Sequence, residues 1–207
     1  MPRGRSATYA DQHEAILAHA AELFAARGYP GTSMNEVATA CGLTKPALYH
    51  YVRDKEALLL QICQQHIARL QALVASVQAQ GLDGEARLRA LILAFVRAYA
   101  DAQGEHRVLT EDVRFLGEAE RRVVLDGQRQ VVAAFAEAVA QVRPALAQAS
   151  LHKPLTMLLF GMINWMFTWL QPDGPLTHDD MAPVVADLFV GGLMALQTPA
   201  LQAPTQS

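Results

Sequence analysis

This sequence has few cysteines and no apolar run long enough to span a bilayer, which argues against several classes of protein. It has only two cysteines in 207 residues, Cys41 and Cys63, and they lack CxxC spacing. A disulfide framework or a zinc site is therefore not expected, and a reducing compartment, the cytoplasm, is predicted. The apolar stretch from Leu155 to Leu170 is sixteen residues long. Because a bilayer span needs ~20 residues, we expect a buried helix there and no membrane association.

An excess of basic charge is also missing. The formal net charge is −3, so the chain as a whole is not a polycation, and nucleic-acid binding would have to rest on a local patch. Residues 1–55 carry six Lys or Arg against five Asp or Glu, whereas the remainder carries 11 against 15. The first residues include arginines but no apolar core of the kind a secretory signal requires, so no such signal is expected.

The motifs of catalytic and metal sites are missing as well. The seven histidines are scattered and none has HExxH spacing, and we find no P-loop, GxGxxG or GxSxG. Glu105, His106, Glu111 and Asp112 are close in sequence, but neighbours along a helix point apart, so we interpret them as solvated charges. We predict that the protein is not an enzyme, with no catalytic residues, no metal site and no cofactor.

What the sequence does contain is a helical pattern rich in alanine and leucine, with sparse strand formers. We predict an all-α fold in which apolar spacing, caps and glycines mark the helix ends. The expected helices cover about residues 8–27, 33–42, 44–52, 54–80, 85–102, 105–116, 118–142, 153–170 and 177–196, with a rigid turn at 172–177. A change in composition near residue 54 predicts domains at 1–53 and 54–197, followed by a disordered tail at 198–207.

The segment "GLTKPALYHYVRDKEAL" carries the clearest functional signal. Two short helices are joined by Cys41-Gly-Leu-Thr44, which is typical of a helix-turn-helix whose second helix enters the DNA major groove. If Leu48 and Val52 face inward, the opposite face presents Thr44, Lys45, Ala47, Tyr49 and His50. Hydroxyl, imidazole and ammonium groups bind phosphates and base edges, and alanine allows close approach.

The run "AAELFAARGYPGTSMNEVATACGLTKPALYHYVRDKEALL" resembles the N-terminal domain of the TetR/AcrR family of transcriptional repressors over about residues 12–60. Val52 stands where that family usually has Phe. The resemblance implies an N-terminal helix-turn-helix domain and a C-terminal helical domain for ligand binding and dimerisation. It also implies groove or phosphate contacts by Lys45, Tyr49 and His50. Contacts with the DNA backbone are implied for Thr32, Ser33, Thr44, Tyr51 and Lys55. Capping, packing or solvation is the alternative role for these residues.

The later stretch "FGMINWMFTWLQPDGPLTHDDMAPVVADLFVGGL" resembles TetR regulators that sense acyl-CoA thioesters. This implies a homodimer that binds a double-stranded DNA operator and a small-molecule effector, with an acyl-CoA as the specific candidate. Some side chains suit an apolar tunnel for the acyl group, and an arginine suits the CoA phosphates. The residues expected to bind the effector are Phe95, Tyr99, Arg107, Phe115, Met162, Asn164, Trp165, Met166 and Trp169. Ordinary core or dimer packing is the alternative for the tryptophans and methionines, and a solvated helix face is the alternative for the arginine.

A function of another class stays open at this point. The chain has the composition of an all-α acyl-CoA- or lipid-binding protein, or of an enzyme acting on CoA thioesters, whose N-terminal helices only pack. Binding to genomic DNA fragments distinguishes the two, because only the regulator gives a specific retarded band.

Overall fold

The computed structural model describes residues 8–170 and 174–197. These residues form α-helices and two short 3-10 helices and include no strand, so the prediction of an all-α fold is confirmed. The predicted tail at 198–207 and the residues Pro172 and Asp173 of the predicted turn lie outside the described residues. No helix in the described ranges is both long and apolar enough to cross a membrane.

The helices follow one another along the chain with short connections. The 3-10 helices are Val113–Phe115 and Met166–Thr168. The α-helices are α1 Tyr9–Arg27, α2 Met34–Ala40, α3 Lys45–Leu48, α4 Lys55–Gln78, α5 Gly84–Asp101, α6 Gln103–Glu111, α7 Glu118–Val142, α8 Pro144–Gln148, α9 His152–Asn164 and α10 His178–Ala195.

The predicted helix starts are set by side-chain caps. Thr8, Ser33 and Thr177 each form a capping box with the acidic residue three positions later. The Thr44 hydroxyl accepts a hydrogen bond from the Ala47 amide, and Asp54 accepts one from the Ala57 amide at 2.7 Å. Each of these side chains satisfies an amide that the first helical turn leaves without a backbone partner, which confirms these helix boundaries.

Three predicted helices end earlier than expected, and the one predicted at 105–116 ends at Glu111, before a 3-10 helix. α3 ends as an α-helix at Leu48, because the amides of His50 and Tyr51 bond to carbonyls three residues back, which is the tighter 3-10 pattern. The helix predicted at 153–170 ends at Asn164 and continues as a 3-10 helix. It is also not covered on every side within one chain, since Leu158 and Trp165 are exposed.

The short helix α8 was missed because Pro144 reads as a helix end, whereas a proline at the first helical position is well tolerated. Leu146 of α8 is fully buried. The helix ends before Ser150, a residue with a positive φ of 57°.

The interpretation of Glu105, His106, Glu111 and Asp112 as solvated charges was wrong in part, since His106 and Asp112 are buried.

The chain forms two packing units. The first comprises the described residues through Ala68 together with Ala102–Gly127, and the second comprises Arg69–Asp101 together with the described residues from Gln128 onward. In the first unit α1 packs along α6, and in the second α5 packs along α10. The predicted domain boundary at residue 54 thus falls inside the first unit, and the division at that residue stays a prediction.

Candidate functional site

The helix-turn-helix is built from a few buried side chains that fix the orientation of α3. Leu48 and Val52 are buried, as predicted, in a core with Phe24, Val37 and Leu58. Gly42 has a φ of 65°, a left-handed conformation that glycine adopts without the steric cost other residues incur, and it turns the chain between α2 and α3. Because the inward residues are fixed, the outward face of α3 is fixed with them.

The outward face carries the polar residues expected to contact DNA. Thr44, Lys45, Tyr49 and His50 are exposed, and Tyr49 keeps 43% of its surface. Ala47 is half-buried. The helix-turn-helix therefore exposes a hydroxyl, an ammonium, a phenol and an imidazole within seven consecutive residues, 44–50.

The other residues predicted to contact the DNA backbone have partners within the chain. Ser33 caps α2, and Thr32 is buried, with its hydroxyl donating to the carbonyls of Leu23 and Gly28. The Tyr51 ring is half-buried and stacks on another tyrosine. These contacts give each residue a structural role, and their contacts with phosphate remain predictions.

Lys55 is placed against an aromatic surface. Its ammonium lies 4.2 Å from the centroid of the Tyr29 ring and 6.0 Å from that of Phe24. Burial lowers the pKa of Lys55 from its ordinary value, while the carboxylates of Asp112 and Glu36 act in the opposite direction. A cation over an aromatic face is held there by the ring quadrupole, so Lys55 has an internal partner besides any phosphate.

Tyr9 was missed by the sequence analysis. Its ring stacks on Tyr51 at 4.7 Å, and its hydroxyl donates to the His50 carbonyl over 3.4 Å. It thereby joins the start of α1 to residues 44–52, which we call the recognition segment. The signal that could have identified it is an exposed aromatic in the first turn of a capped helix that leads into a helix-turn-helix.

The residues predicted to bind the effector fall into separate places. Arg107 and Phe115 belong to the first unit, where Arg107 forms an ion pair with Glu111 at 3.1 Å. Phe95 and Tyr99 lie in the core of the second unit, and burial raises the pKa of the Tyr99 hydroxyl. The remaining five lie between the last turn of α9 and the residue that follows the next 3-10 helix: Met162, Asn164, Trp165, Met166 and Trp169.

An open apolar groove lies between the α9 segment and α10. Its volume is about 530 Å³, and its lining includes Met157, Leu158, Trp165, Trp169, Val184 and Leu188. Of these, Leu158, Trp165 and Leu188 are each about two-thirds exposed, at 64%, 65% and 65%. A contiguous apolar surface of this kind is typical of an interaction site rather than of a surface adapted to water.

Among the residues that the structure describes, no group of three or more His, Cys, Asp or Glu side chains is placed to hold a metal ion. Burial raises the pKa of the Cys63 thiol to about 12. A thiol that resists ionisation is a weak nucleophile, so Cys63 is best described as part of the core.

Comparison with known families decides the identity of this arrangement. Residues 16–62 match the model described as bacterial regulatory proteins of the tetR family, and residues 81–193 match a tetracyclin repressor-like C-terminal domain. The chain belongs to the TetR family. The helix-turn-helix thus lies in the DNA-binding part of a TetR regulator, and the groove lies in the part that matches the C-terminal domain.

Individual TetR proteins resemble the chain over most of its length. A TetR-family regulator from Bordetella parapertussis 12822 superposes with a TM-score of 0.83 at 33% identity, covering 89% of this chain and 97% of that one. The transcriptional repressor KstR2 of Rhodococcus jostii is 26% identical over 86% of this chain and 89% of its own length. AibR, solved in complex with isovaleryl coenzyme A and operator DNA, has a TM-score of 0.74 at 29% identity, covering 86% of this chain and 97% of its own.

Proposed function

We propose that this TetR-family regulator is a repressor that binds a pseudo-palindromic operator as a homodimer and is released by a small molecule. The observation that carries the proposal is the outward face of α3 and of the turn after it, where Lys45, Tyr49 and His50 are exposed while Leu48 is fully buried. The KstR2 relative is named as a transcriptional repressor, which supports repression rather than activation. The family relationship and this fixed face favour a regulator over an all-α ligand-binding protein or enzyme without DNA-binding activity.

A homodimer is supported by the surface of α9 and α10. Exposed apolar residues on both helices accompany Gly161, Gly191 and Gly192, where an added methyl group would meet nothing within 4 Å beyond its chain neighbours and its own helix backbone. Bare backbone on an apolar face allows helices of a second copy to approach closely, in the manner of a four-helix bundle. Two recognition helices would then bind half-sites about one helical turn apart, roughly 34–36 Å.

Replacing Lys45 or Tyr49 by Ala should weaken operator binding by ~1–3 kcal/mol for each lost base or phosphate contact. Both side chains are exposed, so the fold should be retained. Electrophoretic mobility shifts with an operator selected by the wild-type protein from genomic fragments measure the effect. Arg122→Ala is the matched control, because Arg122 is an exposed cation of α7 outside the recognition segment.

The salt dependence of operator affinity distinguishes the loss of a phosphate contact from the loss of a base contact. If Lys45 contacts a phosphate, the slope of log affinity against log salt should fall by about one for Lys45→Ala. Unchanged affinity in both variants, with normal circular dichroism, would show that the recognition surface is elsewhere. No specific complex with the wild-type protein at low salt would favour the alternative of an all-α binding protein or enzyme.

We further propose that the effector is an acyl-CoA thioester. The support is the resemblance of residues 160–193 to acyl-CoA-sensing regulators and the likeness to AibR, whose structure contains isovaleryl coenzyme A. A ligand can release the protein from DNA only through a higher affinity for the state that does not bind DNA, and each tenfold preference contributes about 1.4 kcal/mol.

Isovaleryl coenzyme A, unesterified coenzyme A and isovalerate provide a matched set of probes. We expect the thioester, and neither component alone, to raise the thermal stability of the protein and to lower its operator affinity, because a ligand of the folded state stabilises it. A longer acyl chain should be tested in parallel, since the acyl group sets the fit. If no CoA thioester acts, the acyl-CoA proposal is wrong, while operator binding is unaffected by that result.

A further inference from the structure

The connection between α6 and α7 lies against the start of α4, directly after the recognition segment. The Gly117 amide donates a hydrogen bond to Glu56 Oε1 at 2.7 Å, across 61 positions of sequence. A methyl group added at Gly117 would lie 3.2 Å from the same oxygen. The same methyl group would lie 2.8 Å from Glu120 Oε2, so a side chain at this position would displace both carboxylates.

A second link between the α6–α7 connection and α4 is indirect and passes through Tyr29, in the loop after α1. Phe115 stacks on Tyr29 with centroids 5.4 Å apart and planes within 23°. The Tyr29 ring also contacts the edge of Phe24 and the ammonium of Lys55, the residue before Glu56 in α4. We call Tyr29, Lys55, Glu56, Phe115 and Gly117 the junction cluster.

A buried carboxylate adds a third connection. Asp112 is 5% exposed and accepts a hydrogen bond from the backbone amide of Tyr29, while burial raises its pKa. The neighbouring Leu116 is buried in the same core as Leu48 and Val52. The end of α6, the 3-10 helix and the loop after α1 are thus joined to one another beside the recognition segment.

All of these residues belong to the first packing unit, together with α3. The recognition segment ends at Val52, and only Arg53 and Asp54, the residue that caps α4, separate it from Lys55 of the cluster. Few backbone torsions therefore lie between the two. A rigid connection of this length transmits the position of α4 to α3. Loosening it would increase the conformational freedom that α3 must lose when it docks on an operator.

From these contacts we propose that Glu56 and Phe115 are positioning residues for operator recognition, acting by fixing α3 through the junction cluster. The proposal rests on the proposed function, because it presupposes that α3 reads an operator. Neither residue is required to touch DNA. Non-specific binding depends on phosphate contacts and tolerates a displaced helix, whereas base readout does not. Specific affinity should therefore fall more than non-specific affinity.

Glu56→Ala removes the acceptor of the Gly117 amide, and we expect specific operator affinity to fall by about five- to tenfold, the equivalent of one hydrogen bond. Glu56→Gln keeps an acceptor oxygen and removes the charge, so it should bind at least as tightly as the wild type. Phe115→Ala should resemble Glu56→Ala, whereas Phe115→Tyr retains the stacked ring and should resemble the wild type. Val123→Ala, at an exposed apolar position of α7, is the surface control.

The measurements are operator and random-sequence DNA affinities as a function of salt, at a temperature where circular dichroism shows each variant to be folded. A reduced specificity ratio with an unchanged salt slope supports positioning, since no phosphate contact has been removed. Wild-type specificity in folded Glu56→Ala and Phe115→Ala would overturn the proposal, as would an equal loss in Glu56→Gln. A wild-type protein that binds no operator would instead refute the proposed function.

Discussion

Replacing Leu188 by Asp is expected to convert the protein to a monomer and to abolish measurable operator binding. Leu188 lies in α10, lines the groove and is 65% exposed, so the substitution should leave the fold of a single chain intact. If the groove is the dimer interface, a charge buried there without a partner costs several kcal/mol per ion. Each dimer would contain two such charges because the interface is symmetric.

Light scattering at micromolar concentration measures the mass, and mobility shifts measure operator binding. Val123→Asp is the matched control, because Val123 is also an exposed apolar residue, at 55%, but lies on α7 outside the groove lining. It should remain a dimer and bind the operator. A dimer of unchanged stability in Leu188→Asp would show that the chains associate through another surface.

Replacing Phe95 by Ala should destabilise the protein by ~3–5 kcal/mol, since a large buried aromatic side chain leaves a cavity when it is truncated. Phe95 is fully buried and contacts the rings of Phe135, Tyr99 and Phe160 with centroids 4.7, 5.9 and 6.4 Å away. The edge-to-face geometry of these pairs adds to the stabilisation from burial. Urea denaturation of the purified protein measures the free energy of unfolding.

The control for this prediction is Phe95→Leu, which retains most of the apolar volume and should cost less. The comparison bears on the expectation that Phe95 lines an effector tunnel. A residue that lines a ligand cavity has fewer protein contacts to lose, so a cost below about 1 kcal/mol for Phe95→Ala would contradict the core role assigned here. If Phe95→Ala lowers the free energy of unfolding by the larger amount, effector binding is tested with Phe95→Leu instead.

The fold class and most helix boundaries were predictable because their causes are local. Ser33, Thr44 and Asp54 satisfy amides only a few residues away, and Gly42 provides a conformation that few other residues adopt readily. The inward placement of Leu48 follows from helical periodicity alone. α8 was not predictable in this way, because a proline can either follow the end of one helix or occupy the first position of the next.

The sequence by itself determined the all-α class, the helix-turn-helix and the polar face of α3, because these depend on caps, glycines and periodicity within short segments. Only the tertiary structure decided which aromatic residues are enclosed and which are exposed: Phe95 is buried, Trp165 is exposed, and Phe115 stacks on Tyr29. An aromatic residue stabilises a core and an interface through the same loss of apolar surface to water. Its residue type therefore cannot distinguish the two, and the choice depends on partners that are distant in the chain.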